Sequence, residues 1–317
     1  MNETSAPRQL DKELLAKLAT ADRRRVALRA GSILVIYAGT VYLALRPAVG
    51  WWAVLFSLFL GFVLSGFINA AHDCVHRAHL RSKRGNRIAG MFWGTPIMLN
   101  FTIYRHQHLV HHRFTGVEGD TEPEETFETL RGYLHTFSGI PVWPGLAKRI
   151  IRTWRKEFPA SVSTDERRRD ARLDNWVLTG WLVLMVILTI AFPYALLIAY
   201  WLPLAFVVPA IFFLSLPEHY GLWGVPEVTR NTRTIESNSF VRFFVWNANY
   251  HAEHHRYPAV ASLNLHRLRK ALAEPHPITG KSYVGFHAGL VSALWKGNQD
   301  YGKRVEPEAR PQHDSRR

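Results

Sequence analysis

The sequence predicts an all-α integral membrane protein with four transmembrane helices in two hairpins and a cytoplasmic helical cap that carries three groups of histidines. Three observations predict this fold class. Apolar residues, 48% of the 317-residue chain, gather in four long blocks, basic residues concentrate beside particular ends of those blocks, and histidines cluster near the block ends. Roughly 20 apolar residues are needed for a helix to cross the hydrocarbon core of a bilayer, and the blocks approach that length.

The first two blocks predict the first hairpin. Residues 26–45 are apolar except for Arg29, and residues 51–71 contain no charged residue. Residues 46–50 form a connection short enough for a tight turn. A buried helix of a soluble protein is the alternative for either block alone, but uncharged runs of this length favour membrane spans.

The other two blocks predict a second hairpin, at residues 176–192 and 194–216. Pro193 stands between them, and proline disfavours helical geometry in the residue before it. The sequence therefore predicts that the third span ends near Phe192.

Basic residues predict the orientation of the spans. Four arginines lie at the start of the first block and five basic residues follow the second block, whereas the turns within the hairpins carry only Arg46. These groups are Arg23, Arg24, Arg25 and Arg29, and Arg77, Arg81, Lys83, Arg84 and Arg87. Because basic loops stay on the cytoplasmic side, we expect the termini and the histidines to be cytoplasmic, at a bacterial-type inner membrane or an equivalent.

Three parts are expected along the chain: a cytoplasmic N-terminal segment at 1–25, a membrane domain at 26–301 and a disordered C-terminal tail at 302–317. The stretch 11–30 is charged and lacks the pattern of a signal peptide. The formal net charge of +14 is spread beside the spans without a nucleic-acid-binding motif. This predicts contact with anionic lipid and no nucleic-acid partner.

Histidines in the middle of the chain form three boxes. Box one is His72-Asp-Cys-Val-His76, box two is His108-Leu-Val-His-His112 and box three is His251-Ala-Glu-His-His255. Spacings of three and four residues place the imidazoles of each box on one face of a helix. Neutral imidazole is a common ligand of transition metals, and this number of ligands predicts more than one metal ion.

The segment between the hairpins is too polar to hold further spans. Residues 88–99 are apolar enough to lie on the membrane, and a helix carrying box two is expected to follow them. The acidic run at 118–125 next to box two is interpreted as a solvated loop, because charge runs are commonly solvated.

These features resemble the membrane fatty acid desaturase superfamily over about residues 30–275. The motifs HDCVH, HLVHH and HAEHH are similar to the HxxxH, HxxHH and HxxHH boxes of that family in order and in placement relative to two membrane hairpins. Supporting motifs are Tyr104-Arg105, Glu218-His219, Asn247 to Tyr250, Tyr257-Pro258 and Asn264-Leu265.

The resemblance implies a non-haem di-iron centre, with two iron ions and O₂ as co-substrate. Its implied ligands are His72, His76, His108, His111, His112, His219, His251, His254 and His255. His219 is the ninth and stands alone, so a structural histidine at the membrane edge is its alternative.

Four further residues are candidates for supporting the ligands. Asn247 precedes His251 by one helical turn, and Asp73, Glu218 and Glu253 adjoin ligands and could accept a ring N–H. Salt bridges with the many arginines are the alternative for these three carboxylates. His79 and His106 stay outside the ligand set; His106 lies two residues before His108, a spacing that does not share a helix face.

The chain lacks a dinucleotide-binding fingerprint and a haem-binding segment. The resemblance then implies an external electron donor such as ferredoxin with its reductase. The favoured function is desaturation of a long-chain fatty acyl lipid. A hydroxylase or ketolase of the same superfamily, acting on a carotenoid, sterol or other lipid, shares every motif and stays open.

A non-enzymatic metal-binding or metal-transport membrane protein is the alternative from another class. Transport would need ligands within the spans, whereas the boxes lie at the cytoplasmic ends. A zinc membrane protease would need HExxH, and box one has aspartate in place of the glutamate.

Overall fold

The computed structural model describes residues 10–122, 126–272 and 278–302, and this part of the chain is mostly helical with almost no strand. Its first helices are α1 (Lys12–Ala19), α2 (Arg23–Ala44), α3 (Ala53–Val75), α4 (Lys83–Gly94), α5 (Phe101–Phe114), α6 (Leu130–Phe137) and α7 (Val142–Trp154). The remaining helices are α8 (Asp165–Ala191), α9 (Pro193–Leu196), α10 (Leu202–His219), α11 (Val228–Asn231), α12 (Ser239–Phe244), α13 (His251–Arg256), α14 (Leu265–Ala271) and α15 (Tyr283–Trp295). The parallel strands β1 (Thr234–Ile235) and β2 (Thr279–Gly280) pair with each other.

Four helical segments in the described part are long and apolar enough to cross a membrane, which confirms the predicted number of spans. They are Lys12–Ala44, Pro47–Val75, Asp165–Ala191 and Pro193–His219. The third span ends at Ala191 and the next helix begins at Pro193, as the sequence predicts.

Helix α3 is the central span. Its apolar window is 56% buried, against 11–28% for the other three spans, and it packs against α2, α4 and α10. Glycines permit the closest approaches: a Cβ added at Gly66 would lie 2.1 Å from the carbonyl oxygen of Phe244, and one added at Gly61 would lie 2.6 Å from Cβ of Phe206. The C-terminal half of α3, which carries box one, is thereby packed tightly against the segment that leads to box three.

Helix α5 is anchored at its start by buried polar groups. Asn100 caps the helix by accepting the Ile103 N–H at 3.1 Å, and its side-chain amide donates to the carbonyl of Ala171 at 2.9 Å. The Asp174 carboxylate of α8 accepts the Thr102 N–H at 2.7 Å and pairs with Arg87 of α4 at 2.9 Å. Box two lies further along the same helix, so these bonds at the start of α5 also fix the direction of the turns that carry its histidines.

The N-terminal helix α1 covers the segment that follows box three. Leu18 packs against Val260, Leu265 and Leu268, and Asn264 donates to the carbonyl of Leu18 at 2.9 Å. The tail expected to be disordered, 302–317, lies outside the described residues except for Gly302.

Candidate metal centre

Box one lies at the end of α3. His72 occupies the last turn, and His76 is the C-cap residue, just beyond the final helical residue Val75. The chain then reverses through Arg77, whose φ of 60° is left-handed. The Arg77 N–H donates to Cys74 O at 3.2 Å and the Ala78 N–H to Asp73 O at 3.0 Å, the pair of bonds that defines a Schellman motif.

Box two lies within α5 and box three forms most of the short helix α13, so the predicted helical setting of both boxes is confirmed. His108 and His111 are buried, as are all three histidines of box three. His219 is the last residue of α10. Four separate helices thus deliver the nine predicted ligands to one region.

The nine histidines divide into two clusters, in each of which one ring nitrogen per residue lies within 4.8 Å of the others. The first cluster contains His72, His76, His108, His112 and His254. The second cluster contains His111, His219, His251 and His255. Boxes two and three each contribute to both clusters, and the rings of His112 and His255 stack across the division with centroids 4.2 Å apart.

Neighbouring acceptors hold Nδ1 of most of these rings and leave Nε2 free to bind a metal. The contacts are His108 to Glu122 Oε1 at 3.0 Å, His111 to Asp120 Oδ1 at 2.8 Å, His219 to Asn231 O at 2.9 Å, His251 to Glu218 Oε2 at 3.5 Å and His255 to Thr115 Oγ1 at 3.3 Å. Such partners fix the tautomer and the orientation of a metal-binding imidazole.

The free nitrogens point at one another. Because the carbonyl of Asn231 fixes a proton on Nδ1 of His219, its Nε2 carries a lone pair, and that lone pair faces Nε2 of His251 at 2.9 Å. In the first cluster, Nε2 of His112 lies 2.9 Å from Nε2 of His108 and 3.1 Å from Nε2 of His254. The facing lone pairs of the second cluster repel unless a cation lies between them. In the first cluster, a proton on Nε2 of His112 could be donated to only one of its two neighbours. The arrangement therefore fits one metal ion in each cluster.

Three ring nitrogens add to this fit. Nε2 of His72, His76 and His255 is buried and has no hydrogen-bond partner among the described residues. Buried polar atoms are normally paired, and a metal ion would supply the missing partner.

Burial keeps most of the imidazoles neutral. It lowers the pKa of His108, His251, His254 and His255 well below the usual value, and neighbouring histidines lower it further. His111 differs: burial lowers its pKa, but the hydrogen bond that it donates to Asp120 and the charge of Glu122 outweigh burial and raise the pKa overall. Neutral imidazole is the form that binds metal.

The prediction of a solvated acidic run was wrong for Asp120, whereas Glu122 is exposed as predicted. The Asp120 side chain is only 2% exposed, and besides His111 it accepts the N–H groups of Gly116 and Glu122. Glu122 is 40% exposed and bonds His108. The loop after α5 folds back so that both carboxylates contact histidines of box two. The spacing of Asp120 and Glu122 from the box does not predict these contacts. The one feature of the sequence that could have suggested them is the presence of two acidic residues soon after the box. Residues 123–125 of the run lie outside the described residues.

The four predicted supporting residues have different contacts. Glu218 faces His251, as proposed for a supporting carboxylate. Glu253 instead contacts Arg269 at 2.7 Å and the Thr234 hydroxyl, which is the salt-bridge alternative. Asp73 bonds His79 at 3.2 Å and the Ser262 N–H at 3.0 Å, and the Asn247 amide donates to the Ser262 carbonyl at 3.1 Å.

His79 and His106, which we left outside the ligand set, belong to neither cluster. Both ring nitrogens of His79 are engaged, with Asp73 and with Trp93. Burial lowers the pKa of His106 to about 4.

An apolar cavity of about 390 Å³ opens beside the second cluster. His111, His219, His251, Glu122 and Glu218 line one end of it, and Val207, Val208, Ile211 and Phe212 of α10 line its wall. Since α10 rises about 1.5 Å per residue, the wall extends roughly 18 Å from His219 into the span. Larger cavities lie elsewhere and are not lined by box histidines.

These features define a class of protein: a membrane-type helical protein with two histidine clusters that could hold metal ions beside an apolar cavity. The fatty acid desaturase family matches residues 49–287, three quarters of the chain, and the chain belongs to this family. Membership supports an oxidoreductase of lipid metabolism.

Two relatives agree with this assignment. The sphingolipid delta(4)-desaturase of Schizosaccharomyces pombe is 26% identical over 245 residues, which cover 71% of this chain and 63% of the relative. The sn-1 oleoyl-lipid 12-desaturase of Anabaena variabilis is 29% identical over 101 residues, which cover 32% of this chain and 29% of the relative. The matched regions thus span less than two thirds of the length of either relative.

Proposed function

We propose that the protein is an O₂-dependent desaturase that introduces a double bond into a long-chain fatty acyl lipid. The observation that carries the proposal is the pair of buried histidine clusters, with converging unpaired nitrogens, beside an apolar cavity. Both relatives are named as desaturases of lipids.

Each cluster would hold one iron ion, the first through His72, His76, His108, His112 and His254, and the second through His111, His219, His251 and His255. When bound, two irons supply the O₂ chemistry that breaks unactivated C–H bonds, which protein side chains lack. Removal of two hydrogens from the chain, with O₂, two electrons and two protons, yields the double bond and two molecules of water.

The protein's own residues position the reactants. The apolar wall along α10 would hold the acyl chain in a dry cavity, and the position of that chain relative to the two clusters would select the carbon that reacts. Glu122 and Asp120 keep His108 and His111 in the tautomer that presents Nε2 to the metal.

The proposed topology has two hairpins, with the termini and the histidine-bearing cap on the cytoplasmic side. The distribution of arginines and lysines supports it. On that side the centre would receive electrons from an external donor such as ferredoxin with its reductase, and the positive net charge would attract such an acidic partner.

The deciding experiment is mass-spectrometric profiling of lipids from cells that express the wild-type chain with a ferredoxin system. His254→Ala, which removes a ligand of the first cluster, is the inactive control. His106→Ala is the matched control, because His106 lies on the same helix as box two but outside both clusters.

Products lacking two hydrogens, present with wild type and His106→Ala and absent with His254→Ala, are expected. Products that gain oxygen would replace the desaturase with a hydroxylase or ketolase. Equal lipid profiles for wild type and His254→Ala, in a preparation that carries iron, would contradict the proposal.

A further inference from the structure

The segment after box one is held by a buried network around His79. The Trp93 indole N–H donates to Nε2 of His79 at 3.3 Å, and Nδ1 of His79 faces Asp73 Oδ2 at 3.2 Å. His79, Trp93 and Asp73 are all at least 96% buried. Because the indole can only donate, Nε2 must accept, and the proton of His79 lies on Nδ1, where it donates to Asp73.

The same network joins box one to box three. The second oxygen of Asp73 accepts the Ser262 N–H at 3.0 Å, and the carbonyl of Ser262 accepts the side-chain amide of Asn247 at 3.1 Å. The fully buried Trp246 ring lies 4.9 Å from the His79 ring. Asn247 precedes box three and Ser262 follows it. Asp73 therefore contacts, directly or through Ser262, the segments on both sides of box three.

His76 needs this support because of where it lies. It is the C-cap of α3, just beyond the last helical residue. The Schellman turn that follows it places Arg77, and not glycine, at φ 60°. A non-glycine side chain is unfavourable in left-handed geometry, and such strain persists only when surrounding contacts fix it.

We propose that His79 is a positioning residue which, through Asp73 and Trp93, holds the turn after box one and thereby keeps His76 and His254 together in the first cluster. The inference rests on the proposed metal centre. His79 binds no metal in this account; it acts chiefly on the first cluster, to which both histidines of box one belong.

The test is iron content and spectroscopy of purified full-length protein. His79→Phe removes both the donor and the acceptor, so the Trp93 indole N–H loses its acceptor and Asp73 keeps only the Ser262 N–H. We expect the iron content to fall from two per chain toward one, and the spectroscopic signature of a coupled iron pair to give way to that of a mononuclear iron.

His79→Gln is the conservative control, because its amide offers one donor and one acceptor and should restore most of the second iron. Trp93→Phe keeps His79 but removes the donor that fixes its tautomer. In a chelator titration it should release one iron at a roughly 10-fold lower chelator concentration than wild type, in line with the effect of partners outside the ligand set. This variant tests the proposal even if His79→Phe fails to fold.

Two irons and an unchanged spectrum in folded His79→Phe, or an unchanged titration of Trp93→Phe, would overturn the inference and leave the di-iron proposal intact. Loss of both irons together would point to a general structural role and would also overturn it. A wild-type protein without bound iron would refute the proposed centre itself.

Discussion

At the scale of single residues, the centre depends on side chains that do not bind metal. Asp120 is buried, accepts three N–H groups, from His111, Gly116 and Glu122, and comes from a loop. A carboxylate in this position fixes the tautomer of the imidazole, raises its basicity and orders the loop that follows the helix. Loss of such a partner should therefore weaken metal binding without removing a ligand.

Asp120→Asn tests this directly. Its amide can offer only one acceptor oxygen where the carboxylate offers two, so His111 or the backbone of the loop loses its partner. We expect iron in the second cluster to bind about 10–100-fold more weakly, measured by competition with a chelator. Glu118→Gln, an exposed change in the same loop, should leave the titration unchanged; equal titrations for both variants would contradict the role given to Asp120.

At the scale of elements, the close packing of α3 against its neighbours fixes the position of box one relative to box three. Gly66 lies in the second half of α3, opposite the carbonyl of Phe244, and Phe244 ends the helix that precedes box three. The backbones approach so closely that any side chain at this position must push box one away from box three.

Gly66→Ala is expected to destabilise the fold by about 1–3 kcal/mol, the usual cost of overpacking a well-packed interior. Thermal unfolding of the purified protein in detergent measures the effect. Gly39→Ala in α2, where an added Cβ meets nothing within 4 Å, should leave the melting temperature unchanged or slightly higher, since alanine favours helix. A Gly66→Ala melting temperature equal to that of Gly39→Ala would contradict the packing argument.

Several features of the helices and of the histidine boxes could be predicted from the sequence, and others could not. Span number, the break at Pro193 and the helical setting of boxes two and three follow from apolar block length and from spacings of three and four residues, which are local properties. The division of box two between the clusters, the return of Asp120 and the orientation of Glu253 toward Arg269 depend on how loops and distant helices meet. Local patterns carry no information on such contacts, so these features required coordinates.

At the scale of the whole molecule, the two clusters connect helices far apart in sequence. Their histidines, the proposed metal ligands, come from α5, from α13 and from the ends of α3 and α10. Metal that binds only the folded chain adds stability by mass action, about 2.7 kcal/mol when its free concentration is 100 times the dissociation constant.

Removal of iron with a chelator should therefore lower the melting temperature of the wild-type protein. The double variant His111→Ala/His254→Ala, which lacks a ligand in each cluster, should melt at a temperature that the chelator does not change. An identical melting temperature for iron-loaded and chelated wild type would show that the clusters hold no stabilising metal.

The proposed sidedness of the whole molecule can be tested with the chain's single cysteine in place. Cys74 is buried, so a membrane-impermeant maleimide should not label the native protein. Glu118→Cys places a thiol on the histidine-bearing cap, and Arg46→Cys places one in the turn between the first two spans; both positions are exposed. With basic residues held on the cytoplasmic side, Glu118→Cys should react only in inverted vesicles and Arg46→Cys only in right-side-out vesicles.

The reverse pattern would place the cap outside the cell, away from a cytoplasmic electron donor. Labelling of both variants from one side would mean that α3 does not span the membrane, because that helix separates the turn from the cap.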